Sequence, residues 1–359
     1  MRIRSIVTFL LCQFVAATVS AQSGGTFTIT KSVIAGGGES VSGGVISMTG
    51  SIGQAAAGGT STNASFTHTN GFWADGNALV IVRRGVFDFD GDGKTDLSVF
   101  RPSPGEWWYQ HSSDGIDRAA QFGSSTDKPT PGDFTGDGKT DMALWRSATG
   151  EWFVLRSENS TFFGFQFGSS GDIPAPADYD ADGKTDAAVF RPSAFTWYIL
   201  RSGDGVTMIS QFGVSTDLPV PADYDGDGRA DIAIWRPAAG QWWIQRSTLG
   251  DIAYQFGSST DHAVPGDYTG DGKADAAFWR PSTGFWNILR SEDGAFYAFP
   301  FGASSDIPVP GDFDGDGKYD AAVYRPESFT WFVERSTAGT LIAQFGAADD
   351  FPVPNSYVR

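Results

Sequence analysis

Six short acidic segments carry the clearest chemical signal in this 359-residue chain. Each is a nine-residue loop with Asp at positions 1, 5 and 9, Asp or Thr at position 3, and Gly or Ala at position 4 before an invariant Gly at position 6. Carboxylates at alternate positions of a tight turn converge on one point, and calcium takes six to eight oxygen ligands. The Gly at position 6 permits the sharp turn because it accepts a positive φ angle. The spacing therefore predicts one calcium ion per loop, up to six in all.

The predicted ligands are the residues at positions 1, 3, 5, 7 and 9, with position 7 contributing its backbone carbonyl. Positions 1 and 9 are Asp88 and Asp96, Asp133 and Asp141, Asp178 and Asp186, Asp223 and Asp231, Asp267 and Asp275, and Asp312 and Asp320. Positions 3, 5 and 7 are Asp90, Asp92 and Lys94; Thr135, Asp137 and Lys139; Asp180, Asp182 and Lys184; Asp225, Asp227 and Arg229; Thr269, Asp271 and Lys273; and Asp314, Asp316 and Lys318. We expect the two Thr loops to bind less tightly, because each has one carboxylate fewer.

Two alternatives to a strand-flanked calcium loop were weighed. An EF-hand has a Glu at position 12 and flanking helices, but position 12 is apolar here and the flanking segments are β-like. Solvated Asp-Gly turns without metal remain the other possibility. The loops hold about half of the 42 acidic residues, and the net charge is -17. Such a chain is expected to avoid nucleic acid and anionic membrane surfaces.

The loops recur every 44 or 45 residues, which is typical of a propeller, a solenoid or an array. Each unit also has an aromatic-Arg pair, a Trp-containing strand, a Phe-Gly pair and a Pro-containing segment. In the third unit, four β-like runs are predicted at residues 186–191, 196–201, 206–212 and 218–224. Four short strands in about 45 residues form one propeller blade. The repeated Trp is assigned to Trp108, Trp152, Trp197, Trp242, Trp286 and Trp331.

The pattern predicts an all-β protein with a β-propeller of six four-stranded blades. Seven blades remain possible if residues 24–84 form an atypical blade. Residues 351–357 copy the Pro-containing segment and stop where a seventh loop would begin. We expect the ring to close by pairing of this segment with residues 79–87, since unpaired edge strands invite aggregation.

The first 21 residues have the pattern of a signal peptide: Arg2 and Arg4, an apolar stretch, and small residues up to Ala21. An uncleaved anchor is the alternative. Cleavage after Ala21 removes Cys12, the only cysteine, and leaves no disulfide. The predicted domains are residues 1–21 (signal peptide), 22–78 (a Gly-, Ser- and Thr-rich β module) and 79–359 (the propeller). We expect a secreted protein, extracellular, periplasmic or at the cell surface, with no membrane span in the mature chain.

The Phe-Gly pairs, the Arg-Pro pairs in five units and the stretch at residues 308–320 resemble the FG-GAP/VCBS repeat family. This family includes integrin α-chain propellers and many secreted bacterial proteins, and the resemblance covers about residues 86–357. It implies a β-propeller with calcium loops. It leaves the biochemical role open, because the family contains adhesins, lectin-like modules and domains attached to enzymes.

The residues themselves favour a binding or scaffold module for a surface glycan or protein. The alternative is a polysaccharide-cleaving enzyme, although no catalytic motif is recognised and the three His residues occupy no repeated position. Trp107-Trp108 and Trp242-Trp243 place one ring on each face of a strand, so one ring of each pair could be exposed and stack on a sugar. The other possibility is that these rings pack between blades. The repeated Arg is expected to cap a turn or pair with a loop Asp.

Overall fold

The computed structural model describes residues 60–63, 66–69 and 86–358. The predicted signal peptide and most of the Gly-rich module lie outside these residues. The chain divides into two units after Val82. In the first part, strands Thr60–Asn63 and Phe66–Thr69 form an antiparallel pair with Thr60 opposite Thr69.

The second part is a β-propeller of six antiparallel blades, each with four strands in chain order from the first to the fourth position, except that the C-terminus supplies the first strand of blade 1. Two 3-10 helices lie at Pro237–Ala239 and Val353–Tyr357. The strands of blades 1 to 6 are, in turn, Phe351–Pro352, Leu97–Arg101, Glu106–Gln110 and Asp117–Gln121; Lys128–Pro129, Met142–Arg146, Glu151–Leu155 and Phe162–Gln166; Ile173–Pro174, Ala187–Arg191, Thr196–Leu200 and Thr207–Gln211; Leu218–Pro219, Ile232–Arg236, Gln241–Arg246 and Gly250–Gln255; His262–Ala263, Ala276–Arg280, Phe285–Leu289 and Phe296–Pro300; and Ile307–Pro308, Ala321–Arg325, Thr330–Arg335 and Gly339–Gln344.

The blade boundaries differ from the prediction by one strand. The Pro-containing run at residues 218–224 was assigned to the end of the third unit, but Leu218–Pro219 begins blade 4. Leu218 pairs with Trp235 across the acidic loop that joins the two strands. The repeat length of 45 residues does not depend on which residue is taken as the start of the repeat. The repeat therefore could not indicate which side of the Pro segment ends a blade.

The C-terminal segment closes the ring, as predicted, but on a different partner. Phe351–Pro352 pairs with Leu97–Arg101, with Phe351 opposite Phe100, and completes blade 1. Of residues 79–87 only Val86 and Phe87 are described, and the Phe87 ring stacks on Tyr357 with ring centroids 5.7 Å apart. The closed ring has six blades and not seven.

The hydrophobic core lies between neighbouring blades. In each blade, the first four residues of the second strand are buried. In blade 3 the third strand alternates between buried and half-buried residues, and the fourth strand is the most exposed. In the hydrophobic cluster between blades 2 and 3, Trp145 and Trp152 of blade 2 pack on Ala187 and Val189 of blade 3. A buried Trp removes about 150–250 Å² from water, so these rings dominate the packing of blade on blade.

One Trp in each third strand is fully buried, and in blade 1 it is Trp107 and not Trp108. Phe100 is opposite Trp107 in the register, just as Trp145 is opposite Trp152 in blade 2. Successive residues of a strand point to opposite faces. Trp108 therefore lies on the other face of its blade. The buried set is Trp107, Trp152, Trp197, Trp242, Trp286 and Trp331.

Candidate metal loops and inter-blade grooves

The acidic loops are held in shape by hydrogen bonds to the first-position carboxylate. In blade 4, Asp223 Oδ1 accepts a hydrogen bond from the Gly226 N–H at 2.6 Å, and its Oδ2 accepts one from the Gly228 N–H at 2.8 Å. Both glycines have positive φ angles, 82° and 87°. The same two bonds recur in all six loops. The predicted turn is thus formed around position 1.

The hairpin between the third and fourth strands folds onto each loop through a serine. Ser247 donates its N–H to Asp231 Oδ1 at 2.7 Å and its hydroxyl to Asp227 Oδ2 at 2.7 Å. This Ser was not among the residues predicted from the sequence. Its signal was a Ser that stands sixteen residues after every ninth-position Asp. The six residues are Ser112, Ser157, Ser202, Ser247, Ser291 and Ser336.

Four loops bring three carboxylates together so that one oxygen from each lies within 4.8 Å of the others. In blade 4 the trio is Asp223, Asp225 and Asp231. Asp225 is only 8% exposed, and its Oδ1 atom is buried with no hydrogen-bond partner among the described residues. A buried carboxylate oxygen without a partner is costly unless a cation or water binds it. These clusters could hold metal ions. The other trios are Asp88, Asp90 and Asp96; Asp178, Asp180 and Asp186; and Asp312, Asp314 and Asp316.

The two Thr loops are different. Within residues 86–358, the loops that begin at Asp133 and Asp267 form no such trio. Thr135 Oγ1 is buried without a hydrogen-bond partner among these residues. In the full loops, the residue after the hairpin Ser contacts the third-position Asp, as when Thr248 donates its hydroxyl to Asp225 at 2.6 Å. In the Thr loops that hairpin residue is an exposed Glu, Glu158 or Glu292.

Burial and mutual repulsion raise the pKa of the ninth-position carboxyls, and of the first-position carboxyls in the four full loops, toward the neutral form. Burial, reinforced by the charges of Asp90 and Asp88, raises the pKa of Asp96 to about 7. The pKa of Asp88 is raised to about 6 for the same two reasons. In blade 6, burial and the charges of Asp314 and Asp312 raise the pKa of Asp320 to about 7. A bound cation would stabilise the ionised forms and reverse these shifts.

Neighbouring loops are joined directly to one another. The N–H at loop position 8 donates to the first-position carbonyl of the preceding loop, as from Thr140 to Asp88 at 2.6 Å. The last bond, from Thr95 to Asp312 at 2.6 Å, returns from blade 1 to blade 6. The six loops therefore form a closed ring of backbone hydrogen bonds on one face of the propeller.

The repeated Arg pairs with an Asp outside the metal loops. In blade 4, Arg236 donates to both oxygens of Asp217 at 2.8 Å, and its guanidinium lies 5.3 Å from the Trp243 ring centroid. Asp217 also accepts the Val214 N–H at 2.8 Å, so the pair fixes the turn after the Phe-Gly motif. The repeated Arg therefore stabilises a turn, as expected, but its partner is an Asp outside the acidic loops. The paired acids are Asp350, Asp127, Asp172, Asp217, Asp261 and Asp306.

Two grooves between blades have the same construction. A cavity of about 420 Å³ between blades 3 and 4 is lined by Phe195, Gln211, Phe212, Gly213, Arg236 and Trp243. A cavity of about 270 Å³ between blades 6 and 1 is lined by Arg101, Trp108, Asp117, Gln344, Phe345 and Gly346. Trp243 is 38% exposed, whereas Trp242 is fully buried. The possibility that one ring of each Trp pair is exposed is met by Trp243, whereas Trp108 is half-buried and packs in part against the cluster between blades 6 and 1.

These features define a six-bladed β-propeller in which an acidic loop precedes the second strand of each blade, and four of these loops bring together carboxylates that could hold a metal ion. The sequence profile of the FG-GAP-like repeat matches residues 88–144, 178–234 and 223–278. The propeller thus contains FG-GAP-like repeats in three places, in agreement with the resemblance seen in its sequence.

Solved structures are similar to the chain at low sequence identity and with TM-scores below 0.5. A lectin from Agrocybe aegerita, described for its recognition of non-reducing terminal N-acetylglucosamine, has 16% identity and a TM-score of 0.46, over 73% of this chain and 90% of the lectin. The virginiamycin B lyase of Staphylococcus aureus has 9% identity and a TM-score of 0.44, over 71% and 85% of the two chains. No curated protein matches the chain. Among the described residues, no helix is long and apolar enough to cross a membrane.

Proposed function

We propose that this protein is an exported, calcium-binding propeller that acts as a binding or adhesion module for a surface glycan. The observation that carries the proposal is the pair of inter-blade grooves in which a Trp ring is partly exposed beside an ion-paired Arg. The cavity of about 420 Å³ next to Trp243 is large enough for a small ligand. An exposed indole flanked by polar groups suits a sugar ring, which has apolar C–H faces and polar edges.

Calcium is the metal that best fits the loops. The donor atoms are all oxygens, which hard cations prefer, and each loop can add a backbone carbonyl at position 7. A metal that binds only the folded state stabilises it by about 2.7 kcal/mol per site at a hundredfold excess over Kd. Several sites together are comparable with the stability of a whole domain, about 5–15 kcal/mol. In this proposal calcium rigidifies the loop ring and so holds neighbouring blades in register.

Export rests on the pattern of residues 1–21 and is consistent with calcium loops, which are common in extracellular modules. N-terminal sequencing of protein recovered from the culture medium or periplasm tests it. We expect the mature chain to begin at Gln22. Recovery of a chain that begins at Met1 in those fractions would show that the segment is not removed.

Glycan binding is tested on an array with the mature protein in calcium, and again after chelation. We expect retention of neutral glycans that is weakened by Trp243→Ala and by Trp108→Ala. Phe332→Leu, at the equivalent position in blade 6, serves as the matched control and should bind as well as the wild type. If no glycan is retained but a pull-down from cell surfaces captures a protein, the ligand is a protein and the glycan proposal is wrong.

A further inference from the structure

The six grooves are not equivalent, because the residue after the buried Trp differs between blades. It is Trp108 in blade 1 and Trp243 in blade 4. In the other four blades it is a smaller residue, namely Phe153, Tyr198, Asn287 and Phe332. The largest aromatic face is therefore present in two grooves only.

A second departure from the repeat occurs in the blades that face these two tryptophans. The turn between the second and third strands has a Gly with positive φ in blades 1, 2, 4 and 5, such as Gly240 at 61°. Blades 3 and 6 have Phe195 and Phe329 there, with φ of 56° and 54°. A bulky residue in the left-handed region is strained, and such residues concentrate at ligand-binding sites. No packing need common to all blades explains the two Phe residues, since four blades use Gly.

The two departures occur at the same two junctions between blades. Phe195 of blade 3 and Trp243 of blade 4 line one cavity together. Phe329 of blade 6 and Trp108 of blade 1 pack against one shared hydrophobic cluster at the other junction. At two of the six junctions, an aromatic residue in a strained turn thus accompanies a Trp that is exposed at Trp243 and half-buried at Trp108.

These two junctions lie on opposite sides of the ring. Hydrogen bonds between loops connect the blades in chain order and close from blade 6 to blade 1. Blades 1 and 4 are therefore three steps apart in both directions. The Thr loops of blades 2 and 5 are spaced in the same way, so the propeller consists of two similar halves of three blades.

We propose that the propeller has two glycan sites, one at the junction of blades 3 and 4 and one at the junction of blades 6 and 1, and that it cross-links two glycan chains. This proposal rests on the proposed function and adds the number, the place and the ligand class of the sites. A bivalent module gains avidity on a surface that presents many copies of its ligand. Opposite placement directs the two bound chains away from each other.

The groove residues favour a neutral pyranose over a charged one. The charge of Arg236 is neutralised by Asp217, and Gln211 is the other polar side chain in that groove. The groove beside Trp108 contains Asp117, and Glu106 lies 3.7 Å from Arg101. An anionic sugar would therefore lack an unpaired positive partner. β-Glucosides and β-galactosides have flat C–H faces that suit stacking on indole, and hydroxyl edges that suit Gln and Arg.

Fluorine NMR can count the sites directly. The chain has 12 Trp residues, and incorporation of 5-fluorotryptophan gives each one its own resonance. We expect titration with cellotetraose or lactose to shift the two resonances that Trp108→Phe and Trp243→Phe remove. Each single variant should keep the shift of the other site, and Phe195→Gly should weaken only the site at Trp243, by about tenfold, without lowering the melting temperature. Binding that shifts neither resonance, or only one of them, would overturn the proposal of two sites.

Cross-linking is tested with serum albumin that carries many lactosyl or cellobiosyl groups. The wild type should precipitate this conjugate, whereas Trp108→Ala and Trp243→Ala should each bind it without precipitation, and the double variant should not bind. Phe153→Leu is the control at a junction that lacks both features, and it should precipitate the conjugate. Precipitation by either single variant would overturn bivalence while leaving glycan binding intact. A wild type that retains no glycan on any array would instead refute the proposed function itself.

Discussion

Arg101 and Asp350 lie 249 residues apart in the chain and form a two-point ion pair, with Nε to Oδ1 at 2.8 Å and Nη2 to Oδ2 at 3.0 Å. In the other five blades, the equivalent partners are 19 residues apart. The side chain of Asp350 is fully buried. The same local contact therefore holds a turn in five blades and the two ends of the ring in the sixth.

Asp350→Asn should destabilise the propeller more than Asp172→Asn, which removes the same kind of pair within blade 3. Loss of a buried, charge-assisted hydrogen bond costs about 1–3 kcal/mol. Asp350 also helps to hold the two ends of the propeller together, and bringing distant parts of the chain together has a larger entropic cost than closing a 19-residue segment. The substitution at Asp350 therefore weakens ring closure, whereas the one at Asp172 does not. Thermal unfolding of the two variants measures the difference. Equal losses of stability would indicate that ring closure does not depend on this pair.

Removal of calcium should lower the melting temperature by many degrees, and added calcium should restore it. Asp180→Ala should weaken metal binding and stability more than Thr135→Ala, because it removes a carboxylate from a full loop while Thr offers only a neutral oxygen. Calorimetric titration of chelator-treated protein gives the number of sites and their affinities. An unfolding curve that EDTA does not move would identify the loops as turns without metal.

The stability of the calcium-free protein should fall as the pH rises from about 5 to 8. The pKa values of Asp186 and Asp231 are raised to about 6, and that of Asp320 to about 7, by burial and by neighbouring carboxylates, from an ordinary value of 3.8. At a pH between 3.8 and the raised pKa values, the folded state binds more protons than the unfolded state, so stability falls as the pH rises. The contribution of these carboxyls to stability is therefore present at low pH and is lost as the pH rises through about 6–7.

Calcium should remove most of this dependence, since it stabilises the ionised carboxylates. The gap between melting temperatures with calcium and with EDTA should therefore widen as the pH rises. Asp320→Asn, which cannot ionise, should reduce the slope of the calcium-free protein. A calcium-free stability that rises with pH across this range would contradict the assignment of buried, mutually repelling carboxyls.

Gly240→Ala should be strongly destabilising, whereas Gly205→Ala should cost much less. Both glycines have positive φ angles, 61° and 68°. A Cβ at Gly240 would lie 2.3 Å from the carbonyl oxygen of Gly257, while a Cβ at Gly205 would meet nothing within 4 Å. Gly205→Ala should thus lose only about 1 kcal/mol from backbone conformation. Chemical denaturation of the pair separates the steric contact from the conformational cost, and similar losses would argue against the close approach at Gly240.

The acidic loops and the number of blades could be predicted from the sequence, because each depends on residues that are close together in the chain. The residues that converge near Asp178 all lie between positions 178 and 186, so their spacing alone places the carboxylates together. The period of 44 or 45 residues likewise sets the size of one blade. A feature made of a few consecutive residues recurs in every repeat, so it can be recognised without knowing where each blade begins.

Contacts between different strands, within a repeat and between repeats, were decided only by the tertiary structure. The hairpin Ser247 reaches Asp227 from 20 residues away, and the pairing of Phe351 with Phe100 depends on closure of the whole ring. Whether Trp107 or Trp108 is buried depends on the register of a strand against its neighbour, which a shift of one residue inverts. The meeting of Phe195 with Trp243 arises because adjacent blades pack side by side, and residues from two different blades form one groove only after the ring has assembled.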